Sequence, residues 1–218
     1  KAMFIIGSNT TEQHPVFGTM IRRAVKNRGL KLIVADPRKI DIVEFACLHL
    51  QHKPGTDIAL LNGLMYLILS KDWQDQTFID TRTEGFEEFL TIINQYPPEK
   101  VTDITGVPVE KLYQAAEIMG TTKPMAVIWA MGITQHIVGV RNVMTLANLQ
   151  MLLGNMGVPG GGVNPLRGQN NVQGACDMGG LPNVYPAYQP VTNEEARRKY
   201  EFAWGIKLDD KVGLTVTE

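Results

Sequence analysis

Residues 2–36, AMFIIGSNTTEQHPVFGTMIRRAVKNRGLKLIVAD, decide the fold. Ala2–Ile6 is an unbroken apolar run that stops at Gly7, the pattern of a strand covered on both faces. Pro15 near the first turn and Gly29 at the stop bracket a helical segment. Leu30–Ala35 is a second apolar run, and it ends at Asp36-Pro37-Arg38. Strand, helix and strand in this order make a parallel βαβ unit.

Working outward, residues 39–46 suit a short helix and Cys47–Leu50 a third strand. Thr56 is placed to cap a helix over Asp57–Ser70, where Leu60, Leu64, Leu67 and Ile68 recur at helical spacing. The stretch 75–120 reads as helical, with segments near Thr77–Asp80, Phe86–Gln95 and Pro108–Met119, the last stopped by Gly120. Met125–Ala130 is a further strand, and a helix over Arg141–Leu153 ends at Gly154. A Pro- and Tyr-rich connection (182–190) and a charged helix over Asn193–Phe202 follow. The expected fold is α/β: a doubly wound, mostly parallel, Rossmann-like three-layer sheet with an inserted helical layer over 57–120. The expected domains are 1–168 and an incomplete second domain, 169–218.

Composition narrows the function. Twenty-one basic against twenty-two acidic side chains create no field to attract nucleic acid or an anionic membrane. No apolar run is long enough for a membrane span, so no membrane insertion is expected. Cys47 and Cys176 form neither a disulfide framework nor a ligand pair, which points to a reduced, cytoplasmic setting. An export signal upstream would make it periplasmic. Lys1 leads straight into a strand, as in a piece cut from a longer polypeptide.

Two regions carry chemistry. In open parallel sheets, ligands bind beyond the carboxyl ends of the strands. That rule selects Gly7-Ser8-Asn9, Asp36-Pro37-Arg38, Pro54-Gly55-Thr56-Asp57 and Met131-Gly132-Ile133-Thr134-Gln135. Gly7 permits close approach, Ser8 and Asn9 supply donors, and the helix after Pro15 offers an N-terminal anion site. Asp36 has the place of an acid that holds ribose hydroxyls, and equally suits a plain Asp-Pro turn. Asp57 also suits a first-turn helix acid. The G-x-G-x-x-G fingerprint is missing, which speaks against NAD. The four histidines share no metal spacing, and His136 alone lies beside a selected loop.

The second region is 154–182, with nine glycines and six Asn or Gln but only two charges, Arg167 and Asp177. It lacks serine and contains Val163, Leu166 and Val172, so it is no simple linker. Its amides and one guanidinium suit a polar, anionic group approached closely by backbone. Arg167, a planar fork of five donors, suits a carboxylate or phosphate, and the glycines around it predict a tightly turned, poorly solvated backbone.

The motifs IIGSNTTEQHP (5–15), VADPRK (34–39), LLNG (60–63), TRTEGFEE (81–88), DITGV (103–107), MGITQ (131–135) and NPLRGQNNVQGACDMGGLPNVYPAYQ (164–189) carry a resemblance along the whole chain. It resembles an internal piece of the large subunit of molybdenum or tungsten formate dehydrogenases, in the molybdopterin oxidoreductase family. The resemblance implies that the α/β part holds the guanosine end of one molybdopterin guanine dinucleotide. Gly7, Ser8, Asn9, Asp36, Pro37, Arg38, Gly55, Asp57, Met131, Gly132 and Gln135 match positions around that dinucleotide. Arg167 matches the active-site arginine that orients formate, with Gln169 beside it. The resemblance further implies formate/CO2 as substrate pair, a 4Fe-4S cluster and a Cys or selenocysteine metal ligand upstream of this chain, and an iron–sulfur subunit or carrier as electron partner. The chain alone is then expected to be inactive. Other readings left open are a scaffold subunit of the same fold, a family member acting on another small substrate, and a plain nucleotide-binding module.

Overall fold

The computed structural model describes residues 1–214. In chain order it runs β1 (Ala2–Ile6), α1 (Thr10–Gln13), α2 (Pro15–Arg28), β2 (Lys31–Ala35), a 3₁₀ turn (Asp41–Phe45) and β3 (Leu48–Leu50). Next come α3 (Asp57–Ser70), α4 (Gln76–Arg82), α5 (Phe86–Ile93), α6 (Pro98–Thr105), α7 (Val109–Thr121) and β4 (Met125–Trp129). Then follow α8 (Met131–Thr134), α9 (Gly139–Leu152), β5 (Val163–Pro165), α10 (Val172–Asp177), β6 (Val184–Tyr185), β7 (Gln189–Pro190) and α11 (Glu194–Trp204). Two compact units result, Lys1–Leu166 and a second beginning at Arg167. This division lies two residues before the expected 168/169 boundary, so Arg167 and Gly168 go with the second unit.

The first unit is the expected three-layer α/β fold. Its parallel sheet has the order β3-β2-β1-β4-β5. The chain winds outward from β1 through β2 to β3, then returns to the other side of β1 for β4 and β5. Side chains alternate between faces along each strand, which sorts the core in two. Phe4, Ile6, Ile33, Ala35, Val127 and Trp129 pack under α3, α7 and α9. Ile5, Leu32, Val34 and Ile128 pack with Ile21 of α2 and Ile42 of the 3₁₀ turn. Phe4, Ile5, Ile6, Leu32 and Ile33 are fully buried, each contributing about 1.5–3 kcal/mol of transfer free energy.

The inserted layer explains α3. Leu60, Leu61, Leu64, Met65, Leu67 and Ile68 leave no polar stripe, because α5, α6, α7 and α9 all pack on this helix. A helix apolar all round is a buried one. Gly63 admits Val101 of α6, whose Cγ2 would lie 2.6 Å from a Cβ placed there.

Several local expectations are corrected. The sequence reading has no helix where α6 lies: Pro97-Pro98 looks like a break, but Pro98 takes the first helical position, where its missing N–H costs nothing. Thr56 does not cap α3; its Oγ1 donates to the Lys53 carbonyl at 2.7 Å. Gly120 does not stop α7, which continues to Thr121. Its role is packing, since a Cβ there would lie 2.6 Å from Cβ of Trp73. Gly120→Ala is therefore expected to destabilise the protein by about 1–3 kcal/mol through overpacking, although alanine is the better helix former. An unchanged unfolding midpoint in urea would contradict this role.

Part of the glycine-rich segment is structural. Val163–Pro165 is the edge strand β5, not read from sequence, and an edge is where a strand tolerates proline. Buried Asn155 accepts from the Met125 amide at 3.2 Å and donates to Gln150 Oε1 at 3.1 Å. Gln150 donates to the carbonyls of Met125 and Gly162, and Asn164 to that of Val127. These amides satisfy sheet-edge backbone groups and are not free to surround a ligand.

The second unit has a small core of Tyr185, Val191 and Ala196 with Tyr200 and Leu208 against it. Its α11 is capped by Asn193, whose Oδ1 accepts from the Ala196 amide. Among the described residues no helix is long and apolar enough to cross a membrane.

Candidate functional site: a cleft at the strand-order switch

β1 has β2 on one side and β4 on the other, so the crevice beyond their carboxyl ends is where the winding reverses. The two strand ends meet there almost without side chains. Gly132 N–H donates to the Gly7 carbonyl at 3.0 Å. A Cβ on Gly7 would lie 2.7 Å from the Gly132 carbonyl carbon, and one on Gly132 would lie 2.5 Å from the Gly7 oxygen. Gly7 is also left-handed, at φ +58°. Only glycine meets both demands.

Over this crossing opens a cleft of about 450 Å³. All eleven residues selected for a dinucleotide line it: Gly7, Ser8, Asn9, Asp36, Pro37, Arg38, Gly55, Asp57, Met131, Gly132 and Gln135. Gln13, His52, Pro54 and His136 complete the wall. Sequence reading set His52 aside for want of a metal spacing, and nothing in Gln13's surroundings marked it.

Each side chain has a physical reason for its place. Ser8 and Asn9 are buried, at 3% and 7% exposure, directly after β1. Ser8 Oγ and Asn9 Oδ1 are nevertheless without a hydrogen-bond partner. Buried polar atoms are ordinarily satisfied, and leaving one orphaned costs about 1–3 kcal/mol. The expected N-terminal anion site of the long helix is corrected. The chain makes the short turn α1 before Pro15 opens α2, so Asn9 and Gln13 reach the cleft in its place.

At the end of β2, Asp36 Oδ1 accepts from the Arg38 amide at 2.8 Å, which fixes the turn and the carboxylate together. His49 Nε2 lies 3.0 Å from the Asp36 carbonyl, and Gln51 donates to the Pro37 carbonyl at 3.0 Å. The Arg38 side chain is 73% exposed and forms a cationic rim. Beyond β3, His52 Nε2 lies 3.1 Å from Asp57 Oδ1, with both side chains buried. Across the cleft, His136 Nε2 lies 2.8 Å from the Gly132 carbonyl and Gln135 donates to Met131 Sδ, both at the exposed rim. The floor is thus two buried carboxylates and two unsatisfied polar atoms beside bare backbone. That set suits an extended ligand carrying hydroxyl and N–H donors, which is nucleotide chemistry.

Arg167 and Gln169 belong to the second unit. The expectation of a poorly solvated backbone fails there: residues 167–171 are exposed. Arg167 Nη2 donates to Gln173 Oε1 at 3.3 Å. Gln173 Nε2 donates to Asp177 Oδ1 at 2.9 Å and to the Tyr188 hydroxyl at 3.0 Å. The Tyr188 phenol is raised above its usual range, first by desolvation and then by its hydrogen bond to Asp177. Among the described residues, no group of three or more His, Cys, Asp or Glu could hold a metal ion.

Comparison with known proteins gives this geometry a family. Residues 1–216 match the family model described as Molybdopterin oxidoreductase. The F420-dependent formate dehydrogenase 1 subunit alpha of Methanococcus maripaludis is 48% identical over 99% of this chain and 32% of its own. Formate dehydrogenase H of Escherichia coli is 45% identical over 99% of this chain and 30% of its own. The chain therefore spans about a third of the length of these relatives. Among solved structures, the acetylene hydratase of Pelobacter acetylenicus matches 70% of this chain and 21% of its own, with a TM-score of 0.66 at 29% identity.

Proposed function

The chain belongs to the molybdopterin oxidoreductase family, and from that premise we propose that its cleft holds the guanosine end of a molybdopterin guanine dinucleotide. The observation that carries this is the pair of buried, unpartnered atoms, Ser8 Oγ and Asn9 Oδ1, beside the Gly7–Gly132 crossing. The residues fit the group. Asp36, its Oδ1 already tied to the Arg38 amide, turns its other oxygen to ribose hydroxyls. Asp57, anchored by His52, suits the paired N1–H and N2–H donors of guanine, an edge that adenine lacks. Ser8, Asn9 and the bare backbone at Gly132 receive the polar link, and Arg38 at the rim offsets phosphate charge.

We further propose that the parent polypeptide interconverts formate and CO2, with Mo or W held by pterin sulfurs. Bound, the cofactor supplies the two-electron redox chemistry. This chain's share is binding and orientation. Arg167 grips the formate carboxylate through its guanidinium fork, with Gln169 beside it, and holds it oriented while the C–H bond breaks to leave CO2, a proton and two electrons. A 4Fe-4S cluster outside this chain and an iron–sulfur partner would carry the electrons away. The identity to formate dehydrogenase subunits supports the substrate. The structural likeness to an acetylene hydratase favours a second reading, in which the parent acts on another small substrate.

The test is on the complete reading frame, expressed in a host that makes the pterin. Metal, released guanine nucleotide and formate-dependent reduction of a viologen dye are measured on one sample. All three are expected. Metal and nucleotide without dye reduction would retain the cofactor and replace the substrate.

Ser8→Ala separates a binding role from a packing role. Removing an unsatisfied hydroxyl is expected to leave the cofactor-free protein as stable as before, or more so by up to about 1 kcal/mol. Guanine nucleotide retained after dialysis should fall. A lower unfolding midpoint with full nucleotide retention would reverse the assignment.

A further inference from the structure

Gln173, Asp177 and Tyr188 form a small network behind Arg167 that the chemistry above does not use. Asp177 is a carboxylate, so it can only accept. Gln173 must therefore turn its NH₂ toward it, and the same NH₂ reaches the Tyr188 oxygen at 3.0 Å. With both amide hydrogens engaged, Oε1 has one direction left, toward Arg167 Nη2 at 3.3 Å. A flipped amide would set oxygen against oxygen at Asp177.

The backbone is bent to make this arrangement. Ala187 and Tyr188 both have positive φ, at +58° and +57°, a region side-chain-bearing residues rarely adopt. Asn171, just before α10, is left-handed as well, at +52°. Gly179 lets the segment around Pro186 come against the end of α10: a Cβ there would lie 2.9 Å from the Pro186 nitrogen. Consecutive residues in so sparse a region persist where surrounding structure needs them, and such strain gathers at functional sites.

We propose that Gln173 is a positioning residue for the Arg167 guanidinium, locked in its acceptor orientation by Asp177 and Tyr188. This rests on the proposed role of Arg167 with the formate carboxylate. Gln173 touches no substrate. It fixes the plane of the guanidinium so that the fork is presented before the anion arrives, which lowers the ordering cost of binding. Tyr188 supports the Gln173 amide through its hydroxyl.

The experiment is a set of variants of the complete, cofactor-loaded polypeptide, with metal and nucleotide content measured on each. Gln173→Leu is expected to lower kcat/KM for formate by roughly tenfold or more, the worth of one hydrogen bond to a charged group, with cofactor content unchanged. Tyr188→Phe should lower it less. The double variant should lose less than the sum of the two single losses, because the Tyr188 hydroxyl is joined to the Gln173 amide that Gln173→Leu removes. A simple structural weakening would give additive losses. Additive losses would overturn the proposal. So would a Gln173→Leu enzyme within about twofold of wild type while Arg167→Lys is severely impaired, which leaves the arginine's role intact. Wild-type turnover by Arg167→Lys would remove the role of the arginine and this proposal with it.

Discussion

Arg167→Lys in the complete polypeptide is expected to lower formate kcat/KM by about 100- to 1000-fold, the scale of removing one well-aimed donor from an active site. The loss should fall on both kcat and KM. Lysine keeps the positive charge, so long-range attraction of the anion survives. It loses the planar fork, so the two carboxylate oxygens are no longer held at a fixed angle. The Gln173 oxygen at 3.3 Å would face an ammonium on a flexible stem and hold it less well. Steady-state kinetics with a viologen acceptor, on samples matched for metal, measure the effect. Kinetics like wild type would take Arg167 out of the reaction. A selective rise in KM with unchanged kcat would reduce it to uniform binding of the substrate.

The sheet was legible because its strands are buried on both faces. Runs such as AMFII and MAVIW, short, continuously apolar and bounded by glycine or proline, read as interior strands, and the loops beyond the strand ends led to eleven of the fifteen residues that line the cleft. What escaped reading was set by tertiary partners. His52 carries no signal until β3 ends beside α3 and brings it within 3.1 Å of Asp57. The amides of Asn155 and Asn164 look like ligand donors in sequence, and become sheet-edge acceptors and donors once β5 is known to pair with β4. Gly120 resembles a helix stop until Trp73 is packed against it. The segment that carries Tyr188 to Gln173 is left-handed at Ala187 and Tyr188, residue types with no preference for that region, so no local signal predicts it.

The glycine crossing at the cleft floor should tolerate substitution poorly. Gly7→Ala is expected to destabilise it by about 2–5 kcal/mol: roughly 1–2 for a side chain at positive φ and roughly 1–3 for overpacking. The Cβ would meet backbone atoms of Gly132 and Ile133 at 2.7 and 2.9 Å. Backbone cannot rotate away as a side chain can, so β1 and β4 would have to separate. Gly132→Ala lacks the φ penalty but drives a Cβ to 2.5 Å from the Gly7 oxygen, against the hydrogen bond that joins the two strand ends. Gly55→Ala is the control. Its φ of +79° carries the conformational cost, but nothing lies within 4 Å of the new Cβ, so a loss of only about 1–2 kcal/mol is expected. Urea midpoints of the three variants, read beside the guanine nucleotide each retains, separate strain from collision. If Gly7→Ala and Gly55→Ala were equally mild, the close approach of the two strand ends would not be what shapes the cleft. If Gly132→Ala unfolded no earlier than wild type yet lost its nucleotide, the bare backbone would serve the ligand alone.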